Sequence, residues 1–312
     1  MKKYSVIFPG NGLHNMEFLK FFFKKYNIIQ EIFNEASDIL HINIYKKFFQ
    51  NKNYLINYKD IYQLIFISSI SIYKLLKQKI YLNPYIMGGH SLGTYSALVC
   101  NKNILFKDSL RIIQIRNKIL LLSAKNNRLL TLVIIGLNYT IIKNICILVS
   151  TKKNKAFISA INSNTQITIT GNYSTVYTVG KICKKQFLVK IIRLPMVFSS
   201  HCELLKKYKK RFSYYLKKIK IFERKRPIIS NNDSKLLYSK KDIFNSLLKQ
   251  IYTKIQWNDN IKKIISIGIK IFIEIGPGQI LSNLNKEHKK ILSYPTNSNK
   301  KLLLVKNIIK KL

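Results

Sequence analysis

The chain has 312 residues, 47% of them hydrophobic, which is enough for a sizeable core and excludes a wholly disordered protein. It carries 55 Lys and Arg against 13 Asp and Glu, a formal charge of +42. These cations are scattered over every segment rather than gathered in a stripe or tail. The charge is therefore read as compositional bias, alongside abundant Ile, Asn, Tyr and Phe, and nucleic acid is not an expected partner.

The first apolar run, residues 4–8, ends at Pro9-Gly10, too early for a signal peptide, and reads as a β-strand. Apolar spacing predicts a helix over 61–77 and a short strand over 80–87 leading into Gly88 and Gly89. A helix is expected to begin just past Ser91, and another over 107–121 carries Arg116. Asp108 falls at the start of that second helix, where an N-cap role is expected. No uncharged apolar run reaches the ~18 residues of a membrane span; the segments 61–73 and 129–142 come nearest.

The middle of the chain alternates in a pattern of its own. Strand 129–137, helix 140–148, strands 155–161 and 166–170, helix 172–185 and strand 187–194 give the order βαββαβ, that of a ferredoxin-like unit. The expected architecture is α/β: an α/β-hydrolase-like large domain, residues 1–124 and 197–312, with a ferredoxin-like small domain inserted at 125–196. A strand over 269–275 ends at Gly276-Pro277-Gly278, and 300–312 reads as a terminal helix packed on the body. The four cysteines, Cys100, Cys146, Cys183 and Cys202, match no metal or disulfide framework. A reduced, cytoplasmic protein without a structural metal is expected.

Gly89-His90-Ser91-Leu92-Gly93 is a G-x-S-x-G motif between a strand and a helix. Serine is a weak nucleophile that must be exposed on a sharp turn and paired with a base. Flanking glycines permit such a turn, and the N–H after the serine, at a helix start, suits an oxyanion. Of five histidines, His201 in Ser199-Ser200-His201-Cys202 follows the return from the small domain and is the candidate base. His41 and His288 read as surface residues, His14 could line the site, and His90 belongs to the elbow. Asp108 is the only acid between Ser91 and His201, so a hydrolase triad in the order Ser, Asp/Glu, His lacks support.

The stretch GGHSLGTYSALVC, residues 88–100, resembles the active-site segment of malonyl-CoA:acyl carrier protein transacylases and polyketide-synthase acyltransferase domains. Phe8-Pro9-Gly10-Asn11-Gly12, Arg116, Ala160 to Asn164 through Gly171, Ser200-His201-Cys202, Gln250-Ile251 and Glu274 to Gly278 resemble further motifs of that family in the same order. The resemblance spans nearly the whole chain.

It implies transfer of malonyl from malonyl-CoA to the phosphopantetheine thiol of acyl carrier protein, a small acidic helical partner, for fatty-acid synthesis. Ser91 is then the nucleophile, His201 the base, and a main-chain group of Gln250 the element that orients His201. Backbone N–H groups of Asn11 and Leu92 would form the oxyanion hole. Arg116, Asn162 and His90 would bind substrate, with Arg116 holding the malonyl carboxylate. No metal or redox cofactor is implied, and a monomer is expected. The chain departs from the family at Asn11 and His14 (usually Gln), Thr94 (usually Glu) and Ser199 (usually Pro). A serine thioesterase or esterase, or a degenerate basic binding protein, is the alternative.

Overall fold

The computed structural model describes residues 3–10, 16–50, 58–125, 128–196 and 198–312. Asn11 and His14 lie outside the described residues. Strand β1 (Tyr4–Phe8) leads to helices α1 (Met16–Lys25), α2 (Asn27–Leu40) and α3 (Tyr58–Lys79). Strand β2 (Ile86–Gly89) then enters α4 (Gly93–Cys100), and α5 (Phe106–Ala124) follows. The middle of the chain forms β3 (Leu129–Ile135), α6 (Tyr139–Val149), β4 (Ala156–Ile161), β5 (Gln166–Asn172), α7 (Tyr173–Gln186) and β6 (Lys190–Arg193). Helix α8 (Lys209–Leu216), β7 (Ile228–Ile229), β8 (Leu236–Leu237), α9 (Lys240–Gln250) and α10 (Trp257–Ser266) come next. The chain finishes with β9 (Ile271–Glu274), α11 (Ile280–Asn285), β10 (Leu292–Pro295) and α12 (Asn299–Lys310).

Two sheets result. The larger runs β10-β9-β1-β2-β7-β8, parallel except for the β7–β8 edge pair. Strand side chains alternate between faces, and here both faces are covered. Val6, Phe8, Met87, Ile228 and Ile273 enter the main core, while Ile7, Ile86, Ile229 and Phe272 enter a second core on the other face. Burial on both faces explains why β1 reads as a nearly unbroken apolar run. The smaller sheet, β4-β5-β3-β6, is antiparallel throughout. Helices α6 and α7 pack on it around a core that includes Ile134, Ile142, Ile167, Val176 and Cys183. Ile255, between α9 and α10, adds an isolated parallel bridge to β4 at the edge of the small sheet: its N–H donates to Ser159 O at 2.9 Å, and its carbonyl accepts from Ile161 N–H at 2.8 Å.

The strand expected over 80–87 is confined to Ile86–Gly89. Pro84 has no N–H for a ladder, and the Asn83 N–H is taken by the Tyr4 hydroxyl at 2.8 Å. The N-cap of α5 is Leu105, so Asp108 stands inside the first turn rather than at the cap. There its charge still faces the positive end of the helix dipole. The terminal helix α12 buries Leu302, Val305 and Ile309 against the body. All four cysteines are buried and unbridged. Among the described residues, no helix is long and apolar enough to cross a membrane, and no cluster of three His, Cys, Asp or Glu could hold a metal.

Candidate active site

The site lies beyond the carboxyl ends of β1 and β2, the edge of a parallel sheet where loops converge on a crevice. The chain leaves β2 at Gly89, turns through His90-Ser91-Leu92 and enters α4. The strain of the turn falls on Ser91 itself, at φ +52°. The two glycines serve another purpose: close approach. A Cβ on Gly89 would stand 2.0 Å from the Gly93 carbonyl carbon, and one on Gly93 would stand 2.1 Å from the Phe8 oxygen. The motif glycines thus let strand, turn and helix interlock.

His201 arrives from the other side, also at positive φ (+58°). Its N–H donates to Ile251 O at 3.2 Å. Two residues earlier in the chain, the buried Ser199 hydroxyl accepts from Thr170 Oγ1 at 2.9 Å, which ties the histidine loop to β5. His201 Nδ1 faces the Gln250 carbonyl oxygen at 2.7 Å. A carbonyl only accepts, so Nδ1 carries the proton and Nε2 presents its lone pair. That lone pair meets Ser91 Oγ at 2.6 Å. Burial, then the nearby Arg116 charge, push the His201 pKa down to about 3, so the ring is neutral near pH 7.

Arg116, on α5, completes the cluster. Its Nη2 donates to Ser91 Oγ at 3.1 Å and lies 3.5 Å from His201 Nε2. Arg116 is 2% exposed, and its guanidinium sits over the Tyr62 ring at 5.4 Å. No carboxylate pairs with it among the described residues, and its Nη1 has no hydrogen-bond partner there. A buried, uncompensated cation is costly, and an anionic ligand would relieve that cost.

Behind the nucleophile stands a network that the sequence did not disclose. Asn231 Oδ1 accepts the Ser91 N–H at 3.0 Å, while its Nδ2 donates to Gly89 O at 2.7 Å and Thr94 Oγ1 at 3.1 Å. The Gln250 side chain donates to Ser91 O at 3.1 Å and Thr94 Oγ1 at 2.9 Å. Thr94 Oγ1 in turn donates to Gly89 O at 3.1 Å. Thr94 is therefore the node joining both amides to the turn. With the Ser91 N–H occupied, the Leu92 N–H is left without an acceptor among the described residues.

Two expected substrate residues pair with each other. His90 Nε2 and Asn162 Oδ1 lie 3.0 Å apart, and Asn162 Nδ2 donates to Thr168 Oγ1 at 3.1 Å. His90 also packs edge-on against Trp257, and burial pushes its pKa down to about 4. The pair links the elbow to the small sheet.

No family model matches the chain. Among curated proteins it is 38% identical to a malonyl CoA-acyl carrier protein transacylase of Buchnera aphidicola subsp. Schizaphis graminum, over 97% of this chain and 98% of the relative. It is 36% identical to that of Buchnera aphidicola subsp. Baizongia pistaciae, over 99% and 100%. The FabD protein of Acinetobacter baumannii superposes at a TM-score of 0.93, with 26% identity and 99% of each chain covered. A malonyl-transacylase solved in complex with its type II polyketide acyl carrier protein superposes at 0.92, with 27% identity, covering 98% of this chain and 100% of that one. Identity of this level along nearly the full length of both chains places the chain in the malonyl CoA-acyl carrier protein transacylase family.

Proposed function

We propose that this protein moves a malonyl group from malonyl-CoA to the phosphopantetheine thiol of acyl carrier protein, through a malonyl ester on Ser91, in the service of fatty-acid synthesis. The carrying observation is one oxygen with two partners: Ser91 Oγ stands 2.6 Å from the His201 lone pair and 3.1 Å from Arg116 Nη2.

In the first half-reaction Ser91 Oγ attacks the thioester carbonyl while its proton passes to His201 Nε2. The oxyanion is received by the Leu92 N–H, with the Asn11 N–H as the expected second donor. The tetrahedral centre collapses, the C–S bond breaks, and the proton on Nε2 goes to the departing CoA thiolate. In the second half the carrier thiol gives its proton to His201, attacks the ester carbonyl, and Ser91 Oγ leaves and is reprotonated. Thioester is exchanged for thioester, so neither ATP nor a redox or metal cofactor is needed.

Arg116 selects the acyl group. Its planar fork suits a carboxylate, and such a charge-assisted pairing contributes about 1.5–3 kcal/mol. An acetyl group would leave the guanidinium unpaired. The His90–Asn162 pair, at the edge of the same crevice, forms the wall on the small-sheet side.

The finer architecture belongs to the same reading. The sheet order β4-β5-β3-β6, with both helices packed on it, fits a ferredoxin-like domain over 125–196 inserted in an α/β-hydrolase-like domain over 1–124 and 197–312. Four unbridged cysteines suit a reducing, cytoplasmic setting.

Intact-protein mass after brief mixing with malonyl-CoA tests the proposal. A malonyl adduct on the wild type, absent from Ser91→Ala and discharged by holo carrier, is expected. Release of free malonate without transfer would make the protein a thioesterase instead.

A further inference from the structure

Arg116 is buried without a carboxylate partner among the described residues, so something uncharged must hold its guanidinium in place. An aromatic face lies against it. Tyr62, on α3, sets its ring centroid 5.4 Å from the guanidinium carbon. Other cations lie over rings at the surface, as Lys218 does on Tyr214. Among the described residues, Arg116 and Tyr62 are the cation–ring pair in which both partners are buried.

A ring attracts a cation through the negative potential of its face, yet carries no net charge. It can hold a guanidinium by its plane and leave the N–H edge for a carboxylate. A carboxylate in place of the ring would also hold Arg116, but it would cancel the charge that a substrate anion must meet. Burial raises the Tyr62 pKa against the pull of Arg116, so the phenol stays neutral and does not become a counter-ion itself. The only acid on α3, Asp60, pairs with Lys47 at 2.7 Å. Tyr62 has a second neighbour of consequence. The Phe198 ring lies 6.2 Å from it, tilted by 39°. Phe198 is buried, stands three residues before His201, and adjoins Ser199, which is tied to β5. Tyr62 therefore contacts both Arg116 and the segment that carries the base.

On the transacylase reading, we infer that Tyr62 is a positioning residue for acyl selection: its ring fixes the Arg116 guanidinium beside Ser91 without neutralising it, so that the substrate carboxylate supplies the missing anion. It acts through Arg116 and has no need to touch the acyl group. Its removal leaves the cation in the pocket but lets the fork swing away from Ser91 Oγ. The loss therefore falls on acyl groups that end in a carboxylate and spares those that do not.

The test compares wild type, Tyr62→Phe and Tyr62→Leu in single-turnover acylation of Ser91 by malonyl-CoA and by acetyl-CoA. The same two thioesters are titrated against Ser91→Ala carrying each change, where binding is read without chemistry. Tyr62→Leu is expected to lower malonyl acylation about tenfold, the scale of a lost cation–ring contact, and acetyl acylation by less than about twofold. The preference of the Ser91→Ala protein for malonyl-CoA over acetyl-CoA should shrink by a similar factor. Tyr62→Phe keeps the ring and should keep the malonyl preference in both measurements. Tyr62→Met repeats the comparison if Tyr62→Leu does not fold, and intact acetyl uptake certifies the fold of either. An equal fall with both thioesters in a folded variant would reduce Tyr62 to packing and overturn the inference. So would an unchanged malonyl preference in Tyr62→Leu, or a Tyr62→Phe protein that loses as much as Tyr62→Leu, which would assign the effect to the hydroxyl. A wild type that takes up no malonyl group would sink the transacylase reading, while the Ser91→Ala titrations would still judge the ring.

Discussion

Arg116 Nη2 lies 3.5 Å from His201 Nε2, so a permanent cation faces the lone pair that must accept a proton. The free site is therefore held at low basicity, by burial first and by Arg116 second. A malonyl carboxylate seated on Arg116 neutralises that charge and makes His201 a better base when the correct substrate is present. Arg116→Gln should lower malonyl transfer to Ser91 by about one to two orders of magnitude, the equivalent of a lost charge-assisted pair. The same variant should raise acylation by acetyl-CoA, because the repulsion on His201 is gone. Single-turnover mass measurements with both thioesters check this; a retained malonyl preference would refute the role of Arg116.

Asn231 holds the elbow from behind through three hydrogen bonds. Asn231→Ala should reduce the acylation rate at unchanged KM for malonyl-CoA, since the amide shapes the turn and not the acyl pocket. Stability should drop by about 1–3 kcal/mol for the buried groups left unpaired. A rise in KM with kcat unaffected would argue that Asn231 touches substrate instead.

Gln250→Ala tests which part of that residue matters. The carbonyl that orients His201 survives the change, whereas the amide bonds to Ser91 O and Thr94 Oγ1 do not. Activity should fall modestly, and far less than in His201→Ala, in a direct comparison of transfer rates.

Stability should decline in mild acid. The folded pKa values of His201 and His90 stand at about 3 and about 4, below the unfolded value of 6.5. Between those values the unfolded chain binds protons that the folded chain does not. Their contribution is complete above about pH 6.5 and is lost as pH falls toward 4. The slope for a single such histidine is about 1.4 kcal/mol per pH unit. Urea titrations from pH 8 to 4.5 would show this, and His201→Gln should flatten the curve.

Gly93→Ala should cost about 3 kcal/mol, at the upper end for overpacking, because the new methyl meets main-chain oxygen of β1 rather than a yielding side chain. Thermal melts of that variant beside Gly268→Ala would separate crowding from backbone conformation. Gly268 has φ +84° and open space around its Cβ position.

Local pattern made much of this legible. The elbow, the Arg116 helix and the βαββαβ order depend on short-range spacing and appear where the sequence places them. What escaped depends on distant partners. Asn231 is one amide among many, and only the fold brings it 140 residues back along the chain to Ser91. Strands β7 and β8 are two residues each and exist because β2 offers an edge. The strand expected from residue 80 was shortened by one proline and one tyrosine hydroxyl. The conformational role given to the motif glycines proved to be a packing role, because positive φ sits on the serine.

The group that fixes the His201 ring is a peptide carbonyl. Unlike a carboxylate, it has no protonation state to lose in acid and no side chain that mutation could replace. Any residue at position 250 would still present that oxygen, provided α9 ends where it does. The orientation of the base is thus encoded in the path of the main chain, which tolerates sequence drift better than any particular side chain can.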